Sequence, residues 1–252
     1  FTGENSAGYD SFARANYSAG FAIRLANRSA DDSCKLLVSI QRPLDRQALG
    51  NGAGAFLNYE VVEAFSRSSA IDPETSAGPP PNALRLALRP RQRVEQQFRF
   101  FIPPGQIVPS GAYSDELVYR IYDADTLELL VERGFQVQTR VSQQMAIFIA
   151  DNTAGRSDSS PSGERRGRMD FGRLTTNESR SLGILVLSND DYAMRLESEN
   201  RGALQHVGRD AAARIPYTAT LGGRAVDLSN GSTVLSGYAA TTRRGLLQSL
   251  NV

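Results

Sequence analysis

The sequence predicts an all-β protein of two antiparallel β-sandwich domains, and three observations carry that expectation. Apolar residues recur at alternate positions in short runs, Gly, Pro, Asn, Asp and Ser bound those runs, and helical periodicity is nearly absent. A length of 252 residues fits two domains of about 100 to 150 residues each. A hydrophobic content of 40% against 22% charged residues is ordinary for a chain that buries a core.

In the first domain, 1–141, the alternating runs place strands at 20–27, 34–41, 56–65, 83–89, 93–102, 116–123 and 127–141. Seven such strands suit an immunoglobulin-like sandwich. In the second domain, 142–252, the same pattern marks 144–151, 167–174, 179–189, 192–198, 214–223, 224–229 and 244–252. The turns SNDD, ENRG and LGGR separate several of them with residues that accept positive φ or form Asx turns. Residues 152–168, NTAGRSDSSPSGERRGR, are too polar and too rich in Gly and Ser to pack, and read as a surface loop.

The halves resemble each other. RLANRSADDSCKLLVSI followed by GAFLNYEVV aligns with LVLSNDDYAMRLES followed by ARIPYTATL, which pairs Asn27 with Asn189 and Tyr59 with Tyr217. The strand at 93–102 aligns in turn with 244–252. The next stretch, SGAYSDELVYRIYD at 110–123, combines a tight turn with a strand apolar on both faces and has no copy in the second half.

Composition excludes several functions. A net charge of +1 gives no electrostatic reason for a nucleic-acid or anionic-membrane partner. Lys35 is the sole lysine; the arginine excess reads either as codon bias or as anion-recognising forks. Cys34 is the sole cysteine, so the chain has no internal disulfide and no cysteine-rich metal site, and its apolar neighbours suggest a buried thiol. No run approaches the length of a membrane-spanning helix, and FTGENSAGYD lacks the regions of a signal peptide. His206 is the sole histidine, with no nucleophile elbow or second metal ligand near it, and reads as a loop residue. Asp190 and Asp191 read as a turn, and the glycine-rich 50–56 segment precedes no helix that offers amides to phosphate. The sequons at Asn16, Asn27, Asn177 and Asn230 are short enough to arise by chance. No catalytic residue, metal site or cofactor is expected.

Together the motifs resemble a known family. MDFGRL, SRSLGILVLSNDDYAMRLESENRGAL and RIPYTATLGGRAVDLS resemble the spore coat protein U domain, the pilin-type domain of archaic (Csu-type) chaperone-usher pili. AGYDSFA, IRLANRSADDSCKLLVSI, LNYEVV and SGAYSDELVYRIYD resemble the companion N-terminal domain of two-domain subunits in that family. The resemblance implies an exported, non-enzymatic fimbrial subunit at the cell surface. It implies that the second domain is incomplete and is completed by a strand from an adjacent pilus subunit, after a periplasmic chaperone has occupied its groove.

Residues 1–19 show no alternating large apolar segment of the kind a donor strand needs, which fits a tip adhesin. The first domain would then contact a host or abiotic surface through its loops. Loop 70–83 carries Pro79, Pro80 and Pro81, and loop 101–111 sets Ile102, Ile107 and Val108 among prolines; both are expected to hold apolar contacts at low entropic cost. The opposing reading has Ile107 and Val108 capping the core, and Arg85, Arg89, Arg91 and Arg93 are an alternative contact set for acidic glycans. A self-assembling coat or fibre subunit without a ligand is the competing role. Two departures from the family pattern are the lone Cys34 and the absence, after Val252, of the turn and last strand that family domains carry. The second domain is accordingly expected to be the less stable.

Overall fold

The computed structural model describes residues 8–42, 47–66, 68–73, 78–150, 168–175, 177–206 and 213–252. Every regular element among them is a strand. The chain divides into two compact units, Phe1–Ser142 and Gln143–Val252.

Unit 1 contains β1 (Tyr17–Ala26), β2 (Cys34–Arg42), β3 (Ala48–Gly50), β4 (Phe56–Asn58), β5 (Glu60–Glu63), β6 (Ile71–Pro73), β7 (Leu84–Leu88), β8 (Arg93–Ile102), β9 (Gly111–Asp123) and β10 (Leu129–Val141). One sheet has the order β1–β8–β5. In the other, β9 pairs β10 along one edge and β2 along the other, and β2 carries β7 on its far side. Alternation along β8 turns Phe98 and Phe100 inward, where they meet Ile40, Leu117 and Val137 from the facing sheet. Each large side chain buried in this way contributes about 1.5 to 3 kcal/mol.

Unit 2 contains β11 (Met145–Ala150), β12 (Ser181–Ser188), β13 (Tyr192–Glu197), β14 (Ala203–Gln205), β15 (Arg214–Pro216), β16 (Ala219–Leu221), β17 (Arg224–Val226), β18 (Ser232–Tyr238) and β19 (Leu246–Asn251). A five-stranded sheet, β11–β12–β19–β16–β17, packs its core face against the two-stranded β13–β18.

Several strand expectations need correction. The run 56–65 breaks at Tyr59, which leaves β4 in one sheet and β5 in the other. The run 214–223 breaks in the same way before Tyr217, between β15 and β16. Residues 168–174 form no strand: Asp170 accepts the N–H of Gly172 in an Asx turn, and Gly172 adopts φ 57°. β18 went unrecognised because Gly237, at φ 84°, interrupts its alternation, and β1 begins at Tyr17 rather than Gly20. Cys34 is half-buried at the start of β2 rather than enclosed. The surface-loop reading of 152–167 and the residues 1–7, 74–77 and 207–212 lie outside the described residues.

The repeat seen in the sequence is matched in topology. The order β12–β19–β16 follows β1–β8–β5, and β13–β18 follows β2–β7. Asn27 fixes the turn after β1, donating to the Asp32 carbonyl at 2.7 Å and accepting the Ser29 N–H at 3.0 Å. Asn189, at the corresponding place after β12, instead accepts the N–H of Gln144 at 2.8 Å and so anchors the head of β11. Tyr59 and Tyr217 both stand where the chain leaves one sheet for another.

Two positions differ. β12 carries β11 on its outer edge, whereas the described partner of β1 is β8 alone. β2 carries β9 on the edge away from β7, whereas the described partner of β13 is β18 alone.

Candidate functional site

The second difference leaves apolar surface open in unit 2. Ile147, Val186 and Leu246 form one row across β11, β12 and β19 on the face that packs the core. Val186 in the centre is fully buried, yet Ile147 is 46% and Leu246 39% exposed, and Met145 on the same face of β11 is 47% exposed. The cause is coverage: the two-stranded β13–β18 is too narrow to span the five-stranded sheet it faces. The other face of β11–β12–β19 is apolar as well, with Phe148, Leu185 and Leu247 in register. A sheet apolar on both faces is a sheet built for cover on both.

Two tyrosines line the core under the narrow sheet. Tyr192 and Tyr238 stack with centroids 5.1 Å apart, and neither buried hydroxyl has a hydrogen-bond partner among the described residues. Burial pushes the Tyr192 phenol above its ordinary range, and Tyr238 beside it adds to the shift. Buried hydroxyls without partners are uncommon in finished cores, because each forfeits about 1 to 3 kcal/mol of desolvation.

In unit 1 the expected contact loop 101–111 turns inward. Ile102 is 0% and Val108 8% exposed, and both belong to the main core: for Ile102 this corrects the expectation of a surface contact, and for Val108 it agrees with the opposing reading of a core cap. Ile107 is half-buried. The Tyr9 hydroxyl donates to the Pro103 carbonyl at 3.1 Å and accepts the Gln106 N–H at 2.9 Å, and Tyr113 donates to the Pro109 carbonyl at 2.8 Å. These bonds stitch 103–109 over the end of the sandwich where Gly111 opposes Val141. Pro80 is buried, Pro79 half-buried, and Pro81 alone of the three is exposed. Arg85, Arg89, Arg91 and Arg93 are exposed.

The opposite end of β9 and β10 presents what the sequence reading missed. Asp123 accepts the N–H groups of Asp125 and Thr126 at 2.9 and 2.8 Å, which closes a tight hairpin. These bonds, Thr126 first, hold the Asp123 carboxyl below its ordinary range. Lys35 pairs with Asp125 at 3.1 Å from the neighbouring strand. On this support Leu127, Leu129, Leu130 and Val131 are all exposed, and Leu127 adopts φ 61°, a conformation a leucine enters only at a cost. The contiguous leucines of LELLV were the available signal, masked because that run also reads as a strand.

His206 is exposed, and no group of three or more His, Cys, Asp or Glu side chains among the described residues is placed to hold a metal. No helix among them is long and apolar enough to cross a membrane.

No family model matches the chain, and no curated protein matches it. Among solved structures, it is similar to the CsuC-CsuE chaperone-tip adhesion subunit pre-assembly complex from archaic chaperone-usher Csu pili of Acinetobacter baumannii, with a TM-score of 0.40 and 11% identity over 91% of this chain and 84% of that one. It is also similar to the class 5 fimbriae chaperone CfaA, with a TM-score of 0.23 and 11% identity over 96% of this chain and 95% of that one. A third likeness, to a structure described as BspA_C_WT, has a TM-score of 0.25 and 8% identity over 97% and 84%. At such scores and identities the functional reading stands on the geometry of the chain itself.

Proposed function

We propose that this chain is a non-enzymatic subunit of a surface fibre of the chaperone-usher kind, exported through the periplasm, in which unit 2 is an open sandwich completed by a strand from another chain. The observation that carries this reading is the exposed row on the core face of β11–β12–β19 beside the edge of β13 that has no partner among the described residues. A strand laid on β13, in the position β9 holds on β2, covers Met145 and Ile147 and brings backbone acceptors toward the Tyr192 hydroxyl. A periplasmic chaperone would cover the same face before assembly, and an adjacent subunit afterwards.

In this reading unit 1 is the surface-contacting head, and the tip of the β9–β10 hairpin, with Leu127, Leu129 and Leu130, is its contact. A preorganised apolar fingertip loses little entropy when it meets a host or abiotic surface, and surface attachment of this kind founds a biofilm. The alternative role, a self-assembling coat or fibre subunit, uses the same open face with a second copy as donor.

The test uses the full chain. A peptide of about ten residues with large apolar side chains at alternate positions raises the unfolding temperature of unit 2 and displaces an apolar dye such as ANS; a scrambled peptide does neither. Dye binding at unit 2 that no alternating peptide displaces overturns the reading. Growth of concentration-dependent polymers by the purified chain, seen by light scattering, favours the self-assembling role over the tip.

A further inference from the structure

The first topological difference between the units points to a second site, in unit 1. β1 runs for ten residues in unbroken register with β8, from Tyr17 opposite Ile102 to Ala26 opposite Arg93. Edge strands of this length are normally blunted by a proline, a bulge or an inward-pointing charge. β1 has none of these: its core-facing residues are Ala19, Phe21, Ile23 and Leu25, and its one charge, Arg24, faces outward and pairs with Glu95 at 2.8 Å. β10, across the opening, is defended by a register shift at Leu129 and Val131 and by outward polar residues.

Along the edge of β1, facing Tyr119 of β9 and Phe135 of β10, lies a cleft of about 1000 Å³. Its floor is Phe21, Ile23, Phe98, Tyr119 and Phe135. Phe21 stacks on Phe98 at 5.3 Å, and Phe135 bridges Phe21 and Tyr119 at 5.7 and 6.2 Å. The residues are half-buried apart from Phe98, so the floor is formed but not closed. Arg99 and Arg133 stand exposed beside the cleft, on β8 and on β10 opposite Tyr119. Glu95 on the same lining is paired with Arg24 at 2.8 Å, so the rim is net positive.

We infer that this cleft accepts an extended peptide segment of another protein, added as a strand to the outer edge of β1, with apolar side chains at alternate positions and a carboxylate near Arg99. Three features select a strand over a compact ligand. In unit 2 the matching edge, that of β12, already carries a strand, β11. The edge of β1 offers a row of backbone donors and acceptors that an extended backbone satisfies and a small apolar molecule does not. The aromatic floor lies on the side toward which alternate residues of such a strand point. This site is separate from the open face of unit 2 and does not depend on it.

Hydrogen exchange on the full chain tests the inference and separates it from the reading of unit 2. The probes are a peptide of about ten residues alternating valine with aspartate and threonine, a version with asparagine for aspartate, and a scrambled control. The alternating probes are expected to slow exchange about tenfold in residues 17–26. Ile23→Lys, which places a snorkelling charge on the floor, removes that protection but leaves protection of the β11–β12 sheet unchanged. Arg99→Glu, at an exposed position, weakens the aspartate probe about threefold and leaves the asparagine probe unaffected. Absence of protection at β1 with every probe overturns the inference, whatever happens in unit 2. Protection by the scrambled peptide, or by a small aromatic compound alone, overturns the choice of a strand. Should Ile23→Lys unfold unit 1, the Arg99→Glu comparison decides: equal loss for both probes counts against the site.

Discussion

The two units are built on the same five-strand scheme and are open in complementary places. In unit 1 the β9–β10 hairpin lies along β2 and closes the core, while the edge of β1 is bare of any described strand. In unit 2 β11 covers the edge of β12, while β13 has no described partner on the side away from β18. A sandwich needs both positions filled to bury its apolar faces, and among the described residues each unit fills one. The lesson is that exposed apolar surface is informative by location: Met145 and Ile147 lie on a core face that β13 and β18, the strands described opposite it, leave uncovered, where another chain can supply backbone bonds and side chains at once.

The largest expected effect tests what closes unit 1. Leu117→Ala, on β9 with no exposed surface, is expected to cost unit 1 about 2 to 5 kcal/mol, read as a shift of its urea transition. The transition of unit 2 stays in place, and a shift of both would mean that the units do not unfold separately.

The two equivalent tyrosines sharpen the comparison at the next scale. Tyr59 donates to Asp115 at 2.7 Å inside the core, and burial followed by that bond pushes its phenol far above the ordinary range. The raised value favours the neutral phenol, so this contribution is present below the ordinary tyrosine value and is lost as pH rises above it. Tyr59→Phe leaves a buried carboxylate short of a donor and is expected to cost about 1 to 3 kcal/mol in equilibrium unfolding. Tyr217, 3.0 Å from the Ser198 hydroxyl and only half-buried, is expected to lose about 1 kcal/mol or less on the same change. Equal losses would erase the distinction between a closed and an open core.

Smaller effects concern the exposed surfaces. Ile147→Thr is expected to change the stability of unit 2 by about 1 kcal/mol or less, because nearly half its surface is already wet, while reducing ANS binding and peptide capture there. Leu127→Gly relieves a left-handed leucine and is expected to raise the stability of unit 1 by up to about 1 kcal/mol, while attachment of the full chain to polystyrene falls. Opposite signs in stability and attachment mark a functional fingertip. The depressed carboxyl of Asp123 contributes above its ordinary value and loses that contribution as pH falls through the lowered one. Order in the hairpin tip, followed by amide exchange, is therefore expected to decline in acid, and Asp123→Ala removes the dependence.

Much of the fold was legible in the sequence because strand alternation is a local signal. A run such as RVEQQFRFFI states its period without help from the rest of the chain. The internal repeat was legible for the same reason, through the Asn that ends a strand and the Tyr that follows at a similar distance. The site was read less well. Ile102 read as an exposed apolar residue among prolines and Val108 as either exposed or a core cap, but Tyr9, from far away in sequence, bonds Pro103 and Gln106 and folds that loop onto the core.

The sequence by itself determined that this is a chain of strands, that its halves share a plan, and that one strand of the first half has no copy in the second. Those properties rest on periodicity and on turn chemistry, which act over a few residues. Only the tertiary structure decided which apolar residues are buried. Met145 and Val108 are equally apolar in sequence, yet one is exposed and the other enclosed. The difference lies in whether a strand distant in sequence covers the position, and pairing between distant strands leaves no mark in either strand alone.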